Sequence, residues 1–414
     1  MNILVTGGGG FLGSAVCRQL AERGHDVSAL QRRPATHLES FGVRSIEADI
    51  DDADAVARAA EGCGAIVHTA GKAGIWGDPA DFRRVNVDGT ANVLRACGAH
   101  GIPFLVHTSS PSVVHAGGDI EGGDESLPLA TRFSAPYPET KAEAERLVTR
   151  ANSATLRTVS LRPHLIWGPG DPHILPRLVA KAGGGRLALP APHKVIDTIF
   201  VENAALAHVL ALEELLGEGR CAGKAYFVTN HEPLPQGEII RKLLAAVGVE
   251  VQIRAVPAGV AMAAGAITES AWRLLRLGSE PPVTRFSVEQ LATAHWFDPS
   301  AAQRDFGYTP RYSIDQALDF APHMVAYAVK ANGNQLQQVI MNLMINAQQA
   351  MGGEPGEVTV ISSGQQNGDV EIVVRDELAR MRGSGGAPPP PVDPHAPHKG
   401  LCPGAKAETP SSDR

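Results

Sequence analysis

The stretch YPETK sets Tyr137 and Lys141 four residues apart, one turn along a helix and on one face. A phenol titrates at about 10 and is a poor acid or base at neutral pH, but a cation held beside it stabilises the phenolate and lowers that value. Lys141 can supply the cation and also bond a ribose hydroxyl. Tyr137 can then give a proton to a carbonyl oxygen as hydride reaches the carbon, or take it back in the reverse direction. Upstream, HTSSPSVV closes a strand-like run and offers Ser109 and Ser110. A serine hydroxyl there would orient the same oxygen.

Hydride chemistry needs a carrier. VTGGGGFLG places Gly7, Gly10 and Gly13 between a strand and a helix at the start of the chain. Glycines let the backbone approach a pyrophosphate, and the helix N-terminus turns its amides toward the charge. The ribose of a dinucleotide is read roughly 20 residues further on, where an acidic side chain would accept the 2′-hydroxyl of NAD. This chain has Gln31, Arg32 and Arg33 there. Two guanidinium groups suit a 2′-phosphate, so NADPH is expected in preference to NADH. Asp49, with Ile50, stands where an adenine-edge acceptor belongs, and His68, Ala70 and Gly71 in HTAG follow the fourth strand beside the dinucleotide path.

These residues need a scaffold. Over 2–165 short β-branched runs (NILVT, DVSAL, RSIEA, AIVHT, FLVHTSS, TVSLRP) alternate with helical patterns, the form of a doubly wound parallel sheet. The fold expected is α/β, with a Rossmann-type NADP-binding domain over 1–165 to which some later segments return. A smaller, mostly helical substrate domain follows over 166–325. Residues 329–376 read as a further partial α/β unit with strand-like runs EVTVISS and DVEIVVRD, and 377–414, rich in Pro and Gly, as a disordered tail.

Composition narrows the partners. With 414 residues, 43% hydrophobic, the chain can build two or three domains. A formal charge of -7 provides no general basic surface, which argues against nucleic acid and for a small molecule. Five scattered cysteines lack disulfide or zinc spacing, no metal site is expected, and no secretory signal opens the chain, so a reducing cytoplasm fits. The longest apolar run, AVPAGVAMAAGAI, is too short to span a bilayer and at most lies on one or lines a greasy pocket.

Residues 1 to about 322 resemble the extended short-chain dehydrogenase/reductase family, through the glycine loop, HTAG, NVDGT, TSS, YPETK and LRPHLIWGPGD. The likeness is strongest to its 3β-hydroxysteroid and sterol-4-carboxylate 3-dehydrogenase branch. KAGIWG, TSSPSV, AALAH, EPPVTRF and HWFDPSAAQRDFGYTP are also similar to the 2-alkyl-3-oxoalkanoate reductases of bacterial olefin biosynthesis. The resemblance implies Ser110, rather than Ser109, as the catalytic serine beside Tyr137 and Lys141. It adds Phe11, Leu12, Thr108 and Pro163 to the cofactor positions and implies a homodimer, with a peripheral membrane or pathway-enzyme contact as a further expectation. It implies NADPH-dependent reduction of a lipid-like 2-alkyl-3-oxo acid; the stretch 255–275 would wall its chains, with His164, His173, Arg177 and Lys194 as candidate cations for its carboxylate. The rivals are a steroid dehydrogenase, an NAD-dependent nucleotide-sugar epimerase, a sugar dehydratase and an NADP-sensing protein without catalysis. Gln31 argues against the epimerase, Ser110-Pro111 against the dehydratase and the intact triad against the sensor.

NQLQQVIMNLMINAQQAM, residues 334–351, is similar instead to the ATP-binding domain of sensor histidine kinases, where Asn346 would hold Mg²⁺. After Asp376 the expected glycines are replaced by Glu377, Leu378 and Ala379. A fragment without nucleotide-binding activity is expected.

Overall fold

Seven parallel strands form the central sheet: β1 (Asn2–Thr6), β2 (Asp26–Gln31), β3 (Arg44–Glu47), β4 (Ala65–His68), β5 (Phe104–Thr108), β6 (Arg157–Pro163) and β7 (Ala225–Val228). Their spatial order is β3-β2-β1-β4-β5-β6-β7. The chain moves outward from β1 through β2 to β3, then returns to lay β4 on the other side of β1. That reversal opens the crevice at the carboxyl ends of β1 and β4 where ligands of such sheets bind. The computed structural model describes residues 1–320 apart from 183, 276 and 278, with the backbone of three further strands, Ala326–Tyr327, Val358–Gly364 and Val370–Asp376.

Both faces of the sheet are covered, which is why its strands read as continuous apolar runs rather than alternating ones. Ile3 and Val5 face one core, with helices α1 (Phe11–Glu22) and α5 (Val201–Leu216). Leu4 faces the other, with α2 (Ala53–Ala60) and α3 (Gly89–His100). Helix α4 (Pro136–Ala151) starts with Pro136, whose ring fixes φ for the first helical position. Its buried side includes Lys141, Ala144, Glu145 and Val148, so two ionisable groups are held inside.

Beyond β6 the chain adds helices Ile174–Lys181, Gln236–Ala246, Ala258–Leu274 and Arg285–Ala292. Three small sheets lie among them, one of four strands and two of two strands, with strands of two to four residues. Runs that short show no period, so a purely helical reading of this region misses them. The last three strands form a separate antiparallel sheet, with Val370–Asp376 central. The helix expected over 334–351, including Asn346, and the tail over 377–414 lie outside the described residues. Four cysteines, Cys17, Cys63, Cys97 and Cys221, are free thiols. Among the described residues no helix is long and apolar enough to cross a membrane.

Candidate active site

The loop after β1 is built for close approach. Gly7 has φ +72°, and a Cβ there would lie 2.8 Å from the Ala70 backbone. At Gly13 a Cβ would come within 2.1 Å of the Gly7 carbonyl oxygen. The loop closes through the Gly10 amide, which donates to that same carbonyl at 2.9 Å. Gly10 caps α1 without any side-chain hydrogen bond, so the helix start, with half-buried Phe11 and buried Leu12, presents backbone rather than side chains. Such a cradle fits a dinucleotide pyrophosphate.

The end of β2 differs from the expected pattern. Gln31 does not extend freely: its Oε1 accepts from the Gly9 amide at 3.2 Å and its Nε2 donates to Ser45 Oγ at 2.7 Å. The side chain braces the glycine loop against β3. Arg32 and Arg33 are exposed and have no ion-pair partner among the described residues. Asp49 is half-buried just past β3, and Ile50 is buried in the core beneath it.

His68 is fully enclosed, with Nδ1 at 2.7 Å from Thr6 Oγ1 and Nε2 at 2.9 Å from Thr90 Oγ1. Thr90 donates its own proton to the Asn86 carbonyl, so it accepts from His68 Nε2–H, and Nδ1 accepts from Thr6. Burial, assisted by the charge of Lys141, drives the imidazole pKa down to about 3. His68 is therefore a neutral peg whose ring nitrogens are both used within the protein. Ala70 and Gly71 follow it, and a Cβ on Gly71 would stand 3.9 Å from Lys141 Nζ. Asn86 holds this segment, its Oδ1 accepting from the Lys72 amide at 2.7 Å and its Nδ2 donating to Thr140 Oγ1 at 3.0 Å. Asn86 lies in a π-helical turn, Arg84–Asp88, a feature that often marks functional sites.

Tyr137, Lys141 and Glu145 follow one another at four-residue steps along α4 and so share a stripe. Lys141 is buried and donates from Nζ to the Thr108 carbonyl at 2.5 Å. Burial lowers its pKa to about 8, with Glu145 opposing the fall. Half-buried Tyr137 behaves differently from the sequence expectation. Its phenol lies above its ordinary value, because burial outweighs the stabilising hydrogen bond from Ser110. It is thus a protonated donor at neutral pH. The adjacent serines part company: Ser110 caps the short turn Pro111–Val113, close to Tyr137, whereas Ser109 Oγ points inward and donates to Glu145 at 2.5 Å.

Two groups here carried no assigned role in the sequence. Glu145 also receives Arg162, at 2.6 and 3.0 Å, inside the protein. Arg162 lies 4.9 Å above the Phe227 ring and leaves its buried Nη1 without a hydrogen-bond partner among the described residues. His208 on α5 donates from Nδ1 to the Ala204 carbonyl at 2.7 Å, which leaves Nε2 to accept from the Thr108 hydroxyl at 2.8 Å. Thr108 is thereby held at both its carbonyl and its hydroxyl. Helix periodicity marks both groups as interior, but their partners come from distant strands. Buried Pro163 closes β6 opposite Val228, and Leu165 just beyond it takes φ +47°.

The cations expected to meet a carboxylate are mostly engaged. His164 is buried against Asp197 and His295, Arg177 pairs with Glu280 and Lys194 with Asp119, while His173 is exposed. Stretch 255–275 is not a pocket wall either: Val260, Ile267 and Leu274 on it are 64%, 70% and 83% exposed. Its helix is attached along one side, through buried Gly265 and Glu269.

Residues 4–257 match the model of the 3-beta hydroxysteroid dehydrogenase/isomerase family. The chain is 51% identical over 321 residues to a 2-alkyl-3-oxoalkanoate reductase of Stenotrophomonas maltophilia, covering 77% of this chain and 97% of that one. It is 44% identical to a protein of the same description from Shewanella oneidensis, over 76% of this chain and 84% of that one. Among solved structures, a UDP-glucose 4-epimerase from Brucella ovis in complex with NAD superposes with a TM-score of 0.61 at 25% identity, covering 78% of this chain and 98% of that one.

Proposed function

This chain belongs to the 3-beta hydroxysteroid dehydrogenase/isomerase family of extended short-chain dehydrogenases/reductases, and within it we propose that it uses NADPH to reduce the 3-oxo group of a 2-alkyl-3-oxoalkanoate to the 3-hydroxy acid. The observation that carries the substrate class is the 51% identity to a reductase described by it. The pyrophosphate rests on the loop of Gly7, Gly10 and Gly13 and the amides of Phe11 and Leu12. Arg32 and Arg33 pair with the 2′-phosphate while Gln31 holds the loop, and Asp49 and Ile50 flank the adenine. Ala70, Gly71, Thr108 and Pro163 line the way to the nicotinamide, with His68 supporting them from behind.

The bound nicotinamide supplies the hydride that adds to the carbonyl carbon. Ser110 orients the carbonyl oxygen, and Tyr137 gives that oxygen its phenolic proton, so that one hydride and one proton complete the alcohol. The Lys141 ammonium stabilises the phenolate left behind and bonds the ribose. The elevated phenol pKa suits the reductive direction, because the proton is in place before the carbonyl arrives. Residues 1–165 with later returning segments form the cofactor domain, 166–325 mainly shape the substrate site and 329–376 are a kinase-like fragment without a part in the reaction. The assembly is a homodimer in the cytoplasm, where the free thiols stay reduced.

The test is NADPH consumption with a 2-alkyl-3-oxo acid, set beside NAD-dependent oxidation of a 3β-hydroxysteroid, the reaction that the family description suggests as the second reading. Turnover of the oxo acid with production of the 3-hydroxy acid is expected. Turnover of the steroid alone would replace this reading with the second.

A further inference from the structure

Five of the large apolar side chains most open to solvent fall in one segment: Val260, Ile267, Leu274, Leu275 and Leu277, from 41% to 83% exposed. Val260, Ala264, Ile267, Ala271 and Leu274 recur at three- or four-residue steps and form a stripe along helix Ala258–Leu274. At 1.5 Å per residue the helix runs for about 25 Å. Soluble surfaces rarely carry a contiguous aliphatic patch of that extent without a partner.

The charges around the stripe indicate the partner's chemistry. Glu269, the only acidic residue of the helix, is turned inward and held by Arg285, at 2.7 Å from its amide and 2.9 Å from its guanidinium. The outer side therefore has no anion, while Arg254 and Arg273 are exposed at its ends. Trp272 and Arg273 stand where the helix closes, and the sequence continues Leu-Leu-Arg-Leu. An aliphatic stripe, a tryptophan at one end, exposed arginines and no exposed acid form the pattern of a helix that lies in the headgroup region of a bilayer. On a chain of net charge -7, a local cationic rim is needed for approach to an anionic surface. The location also bears on delivery. Arg273 lies 5.4 Å from the Trp76 ring centroid, in the loop that begins with Gly71 beside Lys141. The stripe thus ends at the rim of the reaction centre.

From these observations we infer that helix Ala258–Leu274 docks the protein on an anionic lipid bilayer, its Val260–Ile267–Leu274 side embedded among the headgroups. The contact is independent of the reductase reading and is tested without turnover. The full chain is sedimented with vesicles of phosphatidylcholine alone and of phosphatidylcholine with phosphatidylglycerol. Binding is expected to the mixed vesicles, to weaken as salt is raised, and to fall by about tenfold or more in Ile267→Glu/Leu274→Glu. Circular dichroism checks that this variant keeps the parent fold. Absence of wild-type binding, or binding unchanged in the double variant, overturns the inference. So does loss of a wild-type oligomer in the double variant by sedimentation velocity without any vesicle binding, which would make the stripe a contact between copies of the chain.

Discussion

Glu145 grips Arg162 through both carboxylate oxygens, one helical turn beyond Lys141 and wholly inside the protein. Breaking a buried pair strands the remaining charge, so Glu145→Gln is expected to cost about 3 to 5 kcal/mol of stability, read as a fall in the urea midpoint. The carboxylate also raises the Lys141 pKa against the effect of burial. Its removal should shift the basic limb of the pH profile for turnover to lower pH. A purely structural pair would lower stability and leave that limb in place.

Tyr137→Phe removes the proton donor and leaves the glycine loop intact. Turnover should fall by about 10²- to 10⁴-fold, with NADPH affinity by fluorescence titration nearly unchanged. Ser110→Ala should lower kcat by about 10²-fold, as for loss of one oxyanion donor, whereas Ser109→Ala should act chiefly on stability through Glu145. Equal effects of the two serine variants on kcat would contradict the division of labour between them.

The exposed guanidinium groups of Arg32 and Arg33 carry the proposed preference for NADPH. A charge-assisted hydrogen bond contributes roughly 1.5 to 3 kcal/mol, so replacing both by alanine should weaken NADPH binding by at least about tenfold and leave NADH binding nearly unaltered. Paired titrations of the wild type and double variant measure this. Tighter binding of NADH than NADPH by the wild type would remove the proposal.

Stability should depend on acid through the enclosed histidines. His68 and His208 have folded pKa values lowered by burial to about 3 and about 4. Below about 6.5 the unfolded chain binds protons at these sites and the folded chain does not, so stability falls with pH. Each contributes a slope of about 1.4 kcal/mol per pH unit until its folded pKa is reached. Urea melts between pH 7 and pH 4 should show the loss, and His208→Gln should make it shallower.

What the sequence determined by itself was local: a glycine loop between strand and helix, a tyrosine and lysine one turn apart, apolar runs long enough to read as buried parallel strands. Each depends on backbone geometry over a few residues, which side-chain type and spacing dictate. Which of two like neighbours faces the chemistry is a different kind of fact. Glu143 and Glu145 both belong to KAEAERLV, yet the first binds Arg83 at the surface and the second holds Arg162 and Ser109 inside. Arg162 and His208 come from β6 and α5, 17 and 100 residues from their partners, so only the packing of the sheet brings them beneath Lys141. The same packing leaves the apolar stripe of Ala258–Leu274 outside. Hydrophobicity says that such a helix needs an apolar neighbour, and only the tertiary structure decides that the chain's own core is not that neighbour.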